Sequence, residues 1–291
     1  MKNKIINKNL HTKNIITCDN ISVSCGLKKN KQMLLNNLSY AFEKGKVYAI
    51  VGNSGVGKTT LAMHLNALRI PSSGNIFIKD KVITANQRKI KYYKDIRKTV
   101  GLVFQFPEHQ LFKDTVEKDI LYGPINYHVN KEEAKKIASK YMYLVGLDKS
   151  LLYANPFDLS NGQKRLVTIA SILSIEPEVV ILDEPTAGLD AQGQKHIVHI
   201  INELKNKNKT VIIVTHNMDN VLELADEVLV LHNQQLYKTG TPYQIFSDKK
   251  LLNEVGLETP FIINVLNKLH IRNKQPRTIA DLAKILKKGG Y

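Results

Sequence analysis

An α/β fold organised around a parallel sheet is predicted by three features of these 291 residues. The runs KVYAIV at Lys46–Val51, VVILD at Val179–Asp183 and TVIIVT at Thr210–Thr215 are short, unbroken and rich in β-branched residues. That is the pattern of strands buried on both faces. The helical stretch AQGQKHIVHIINELKNK separates the last two, so strand, helix and strand recur. Finally, the glycine-rich string GNSGVGKTT at Gly52–Thr60 joins the first run to TTLAMHLNAL, whose Leu61, Leu65 and Leu68 recur at helical spacing.

The remaining elements follow in order. Residues 1–14 are polar and basic and are expected to form a loose tail. IITCDNISVS and MLLNNLSYAF, the latter followed by the turn signal EKG, predict two strands, and PSSGNIFIKDKVIT predicts a hairpin. Between Gln105 and Ser160 the pattern turns helical, with KEEAKKIASKYMYLVGL forming an amphipathic helix capped by Asn130. EVLVLHNQQLYKTG reads as a closing hairpin. Past Gly240, two helical segments broken by Pro260 and Pro276 suggest a small added domain. The expected division is a tail over 1–14, a main domain over 15–240 with a helical part over about 105–175, and a helical domain over 241–291.

Composition narrows the class. No stretch approaches the roughly 18 apolar residues that span a bilayer, and the start MKNKIINKNLHTKN carries no apolar export region, so a cytoplasmic protein is expected. Cys18 and Cys25 form neither a CxxC pair nor part of a His-rich cluster, which argues against zinc and against disulfides. The formal charge of +16 is spread with Asn and Ile and lacks a compact Arg cluster or an RNA-binding aromatic string. Solvated surface is the favoured reading, with an anionic membrane surface second and nucleic acid not expected.

Gly52, Gly57, Lys58 and Thr59 satisfy G-x-x-x-x-G-K-[ST] between a strand and a helix. Such a loop turns consecutive backbone N–H groups toward phosphate oxygens at a helix N-terminus, where the helix dipole favours negative charge. Lys58 then reaches the β- and γ-phosphates and the Thr59 hydroxyl meets Mg²⁺. Asp183 and Glu184 end a buried strand, where α/β sheets carry their ligands. Asp183 is expected to hold Mg²⁺ and Glu184 to polarise an attacking water. His216 ends TVIIVT in the same way; it can bond the γ-phosphate or the water, or serve as a structural hydrogen-bonder. LSNGQ at Leu159–Gln163 opens a capped helix, a second phosphate-binding helix end in one chain.

Taken with Gln105, these strings resemble the ATP-binding-cassette (ABC) ATPases over about residues 15–240. The resemblance implies a P-loop NTPase fold with a RecA-like parallel core, an antiparallel β subdomain and an α-helical subdomain. It also implies hydrolysis of ATP with Mg²⁺ in a head-to-tail dimer, where each signature closes over the partner's nucleotide. It places the nucleotide loop on Gly52, Asn53, Ser54, Gly55, Val56, Gly57, Lys58, Thr59 and Thr60, and the Mg²⁺- and water-contacting glutamine on Gln105. The signature contacts fall on Ser160, Gly162 and Gln163, the metal aspartate on Asp183, the base on Glu184, the dimer-crossing aspartate on Asp190 and the switch histidine on His216. FQFPEHQLFKDTVEKDILYGP, DEPTAGLD and GLETPFIINVLNKL are similar to the ATPases of energy-coupling factor (ECF) importers of vitamins and metals, nearest the A-prime paralogue. That implies a heterodimer with a second ATPase, held partly by the C-terminal helices. The pair would sit at the cytoplasmic face of the membrane under a transmembrane T subunit, with S subunits that choose the substrate.

Two departures stand out. Asn161 replaces the usual signature glycine; the expectation is that Asn tolerates a left-handed turn there but crowds the approaching phosphate. The family's adenine-stacking aromatic aligns with Val23 or Cys25, and neither is aromatic. Other readings stay open: an ABC importer ATPase outside the ECF group, a homodimer, or a soluble ABC protein of nucleic-acid metabolism. Against the last, the interval from Gln105 to Ser160 is too short for a coiled-coil arm and only one cassette is present.

Overall fold

A computed structural model describes residues 13–26 and 32–289. The expected tail therefore lies almost wholly outside the described residues. Of it, Lys13 pairs with Glu43 at 3.0 Å and Asn14 opens the first strand.

Two sheets form the frame. The strands β1 (Asn14–Cys25), β2 (Gln32–Glu43), β4 (Ser73–Ile78) and β5 (Lys81–Thr84) make an antiparallel sheet in the order β2-β1-β4-β5. The second sheet contains β3 (Val47–Val51), β6 (Val100–Val103), β7 (Val179–Asp183), β8 (Thr210–Val214), β9 (Glu227–His232) and β10 (Gln235–Gly240) in the order β10-β9-β3-β8-β7-β6. Its pairs are parallel except β9 with β10, which close the edge antiparallel. The predicted hairpins and the parallel core are all present.

Alternation along the strands explains why this sheet is buried twice. Tyr48, Ile50, Ile181, Ile212, Val214, Leu229 and Leu231 point into a core shared with the antiparallel sheet and with α1 (Lys58–Leu65). Their neighbours Val180, Leu182, Val211 and Ile213 face a second core. This is built with α3 (Val116–Asn126), α4 (Lys131–Leu144), α5 (Asn161–Leu173) and α6 (Ala191–Asn206). Asn130 caps α4 as predicted, its side chain accepting the Glu133 N–H at 2.9 Å. The helix α2 (Tyr93–Thr99), the strand β6 and α7 (Met218–Leu224) match no predicted element, while α3 lies inside the helical part expected over about 105–175.

Four short helices follow β10: α8 (Pro242–Phe246), α9 (Lys249–Val255), α10 (Phe261–Lys268) and α11 (Ile279–Gly289). Pro260 sits at the N-cap of α10, and Pro276 lies between α10 and α11, as breakers should. These helices share a buried cluster with Ala49 and Val51 of β3, Val228 and Val230 of β9, and α7. Cys18 is buried, which pushes its thiol up to about 12, and Cys25 is exposed; both are free thiols.

Because β6, β7, β8, β3 and β9 run parallel, the segments that follow them emerge at one edge of the sheet. Gly52 follows β3, His216 comes after β8, Asp183 ends β7 with Glu184 next, and Gln105 comes after β6.

Candidate functional site

The Gly52–Thr60 loop runs from β3 into α1, and two of its glycines are required by backbone geometry. Gly52 has φ +145°, and a Cβ there would stand 2.3 Å from the Leu231 carbonyl oxygen. Gly57 has φ +107° with a Cβ position 2.5 Å from the Leu34 oxygen. Lys58 Nζ donates back across the loop to the carbonyls of Gly52 at 2.7 Å and Asn53 at 3.0 Å. Burial holds its amine below the usual lysine range, opposed by the charges of Glu184 and Asp183. Asn53, Ser54 and Gly55 are exposed, while Val56 and Gly57 are buried beneath them.

Thr59 Oγ1 donates to Asp183 Oδ2 at 2.7 Å, joining the end of β7 to the start of α1. Asp183 is 2% exposed and its Oδ1 has no hydrogen-bond partner among the described residues. Burial raises its pKa, the Thr59 bond lowers it, the Glu184 charge raises it and Lys58 lowers it, for a net rise. Glu184 is also buried and sits in the left-handed region at φ +48°, its N–H held by the Val214 carbonyl at 2.8 Å. His216 Nδ1 lies 2.9 Å from Glu184 Oε2, yet the contact lacks hydrogen-bond geometry and leaves that oxygen unsatisfied. The imidazole itself is 74% exposed. One basic group and two unsatisfied carboxylate oxygens thus converge at the strand ends, the arrangement expected where charge is to be received.

Other predicted positions stand apart within the chain. The Gln105 side chain is exposed and, among the described residues, no hydrogen bond ties it to Thr59 or Asp183. Ser160 and Gln163 close a reciprocal capping box on α5: Ser160 Oγ accepts the Gln163 N–H at 3.3 Å and Gln163 Oε1 accepts the Ser160 N–H at 3.0 Å. Gly162 lies in the first turn of α5, where a Cβ would meet only Leu189 at 3.8 Å. Asp190 caps α6 through the Gly193 N–H at 2.7 Å.

Two expectations need correction. Asn161 is not in a left-handed turn: it is the first residue of α5 and its φ is not positive. A helix start suits any residue, so only its side-chain bulk distinguishes it from glycine. Of the two adenine-stacking candidates, Val23 is 4% exposed within the core, so only Cys25 could face a ligand.

Sequence reasoning missed Arg165. From the second turn of α5 its guanidinium donates to the carbonyls of Pro185 at 2.9 Å and Ala187 at 2.6 Å, and reaches the Gln105 carbonyl at 3.5 Å. It binds the signature helix to the loop after Glu184 and to the segment after β6. These three partners are main-chain oxygens, which carry no sequence signal.

Comparison with known proteins gives the family. Residues 35–187 match the sequence model of the ABC transporter family. The "Energy-coupling factor transporter ATP-binding protein EcfA2" of Mycoplasmoides gallisepticum is 47% identical over 266 residues, covering 87% of this chain and 84% of that protein. The protein of the same name from Mycoplasma genitalium is 44% identical over 298 residues, 99% of this chain and 98% of the relative. The chain belongs to the ECF transporter ATPases. Among solved structures, this ECF ATPase is similar to cbiO1 from Clostridium perfringens, described as part of the ABC transporter complex cbiONQ. The TM-score is 0.71 at 32% identity, covering 88% of this chain and 99% of that one. The ATP-binding cassette MJ0796, solved as a dimer bound to ADP and Pi, has TM-score 0.71 at 23% identity over 78% of this chain and 98% of its own, and shares the fold.

Proposed function

We propose that this chain is the ATP-hydrolysing subunit that energises an ECF-type importer of a vitamin, another micronutrient or a metal ion. The observation that carries the reading is the cluster of Lys58, the Thr59–Asp183 bond and the unsatisfied Asp183 and Glu184 oxygens, brought together where the loops after β3 and β7 leave one edge of the parallel sheet. ATP phosphates lie along Gly52–Thr60, where Lys58 exchanges its carbonyl partners for phosphate oxygens.

The donors fit Mg²⁺. Thr59, Asp183 and Gln105 offer a hydroxyl, a carboxylate and an amide oxygen, and the buried, unpaired Asp183 Oδ1 is the kind of atom a hard cation satisfies. Among the described residues no three His, Cys, Asp or Glu side chains form a metal cluster, consistent with an ion held largely by phosphate and water. When bound, Mg²⁺ neutralises phosphate charge as a Lewis acid. Glu184 accepts the proton of the attacking water, and His216 orients that water or the γ-phosphate.

Ser160, Gly162 and Gln163 at the start of α5, with Asp190, serve the nucleotide of a second, similar ATPase, so that closure of a heterodimer completes two sites. No helix among the described residues is long and apolar enough to cross a membrane. In this reading the chain is held at the cytoplasmic face by membrane partners, a T subunit with a substrate-choosing S subunit. Isolation of the tagged chain from membranes is expected to bring down a second ATPase and an integral membrane protein, in a complex that hydrolyses ATP. A chain recovered alone, binding nucleic acid in a salt-sensitive way, would overturn this reading.

The missing adenine stack has a measurable result. With Cys25 where an aromatic would lie, this chain's own site forgoes about 1–3 kcal/mol of stacking and distinguishes ATP from GTP poorly. Competition of the two nucleotides for the isolated chain should give affinities within about tenfold of each other. A strong ATP preference contradicts this.

A further inference from the structure

The strand that feeds the phosphate loop is packed against the C-terminal helices. Ala49 and Val51, the latter adjacent to Gly52, share a buried cluster with Met218, Val221 and Leu222 of α7 and with Ile262, Ile263 and Leu266 of α10. Polar contacts at the rim of this cluster lead to both nucleotide-facing loops. Asp219 Oδ1 accepts the N–H of Phe261, the first residue of α10, at 2.7 Å. The N-cap of α10 is Pro260, which has no side-chain acceptor, so Asp219 serves as that cap from another helix. Asp219 comes three residues after His216. Its neighbour Asn220 donates Nδ2–H to Thr186 Oγ1 at 3.3 Å, two residues past Glu184.

On the other side, α9 ends at Gly256 in the left-handed conformation, φ +67°. A Cβ there would stand 3.2 Å from Asn53 Oδ1 and 3.4 Å from Asn53 Nδ2. The turn between α9 and α10 thus rests directly against the second residue of the phosphate loop.

We propose that the C-terminal helices are a positioning element of the nucleotide site: the Gly256 turn braces the phosphate loop at Asn53, and the Asp219 cap fixes that turn to the helix that follows His216. The proposal rests on the reading of Gly52–Thr60 as a phosphate loop. Loop N–H groups act on phosphate only when held within a few tenths of an ångström of the productive geometry, so a brace on the loop's outer side governs affinity. Mere packing would instead govern stability alone.

Binding of a fluorescent ADP analogue with magnesium to the complete chain separates the two. Gly256→Asn keeps a residue tolerant of the left-handed cap while pressing on Asn53, and Asp219→Ala removes the cap of α10. Each is expected to weaken binding by about fivefold or more, with Asp219→Asn, which retains an acceptor, returning it to within about twofold of the starting protein. Hydrogen exchange should quicken over residues 52–60 in both weakened variants and stay unchanged in α3–α5. Binding within about twofold of the unsubstituted chain in Asp219→Ala, with unaltered exchange at 52–60, overturns the proposal. Should Gly256→Asn fail to fold, the Asp219 pair decides alone. An unsubstituted chain that binds no nucleotide would instead refute the phosphate-loop reading.

Discussion

Glu184→Gln is expected to bind ATP normally and to lower hydrolysis by the assembled complex about 10²–10⁴-fold, the range spanned by loss of a positioned base. The amide is nearly isosteric, so the left-handed backbone at φ +48° and the Val214 bond to its N–H have no cause to change. An amide cannot take the proton of an attacking water. It also removes the charge that helps raise the Asp183 pKa, so Asp183 stays ionised to lower pH and nucleotide with metal is held at least as well. ATP should therefore accumulate unhydrolysed, with the two ATPases closed upon it. Single-turnover kinetics and retention of radiolabelled ATP by the complex provide the check, and a rate equal to that of the unsubstituted complex would refute Glu184 as base.

Lys58→Ala is expected to weaken ATP binding about 100-fold, the worth of roughly one charge-assisted phosphate contact or slightly more. Without nucleotide the ammonium holds the Gly52 and Asn53 carbonyls, so the substitution also loosens the loop before ligand arrives. Burial lowers the amine pKa, but the nearby Asp183 and Glu184 charges oppose this. Lys58→Arg should not rescue, because a planar fork cannot replace a compact ammonium inside a turn that Gly52 and Gly57 keep closed. Equilibrium binding measured beside a melting curve distinguishes lost ligand contact from lost folding. Unchanged affinity would remove Lys58 from the site.

The parts of the fold that the sequence made legible are those carried by local pattern. Strands β3, β7 and β8 are buried throughout and apolar but for Thr210 and Asp183 at their ends and the Tyr48 hydroxyl, because both their faces are covered, and the caps at Asn130 and Ser160 obey chemistry confined to four residues. Strand order was not legible. That β8 lies between β3 and β7, bringing His216 between the phosphate loop and Glu184, depends on pairing across more than a hundred residues. Short elements such as α2, β6 and α7 carry too few periods to register. At Val23 and Cys25 alternation assigns both residues to one face, yet the first is in the core and the second lies at the exposed strand end. Arg165 and Asp219 escaped for a common reason: both act on main-chain atoms of distant segments.

Gly162 separates the demands of folding from those of function. Nothing in its own chain requires glycine there, since an added methyl meets only Leu189 at an ordinary 3.8 Å. In a helix interior alanine is favoured over glycine by about 1 kcal/mol, and the preference narrows toward the helix end. A survey that scores the isolated chain by solubility or melting temperature would therefore rank alanine at 162 as harmless or even an improvement. If, as proposed, the start of α5 serves a nucleotide carried on another polypeptide, selection on the working transporter would judge position 162 by that contact, and an engineer guided by the first assay would discard what the second one needs.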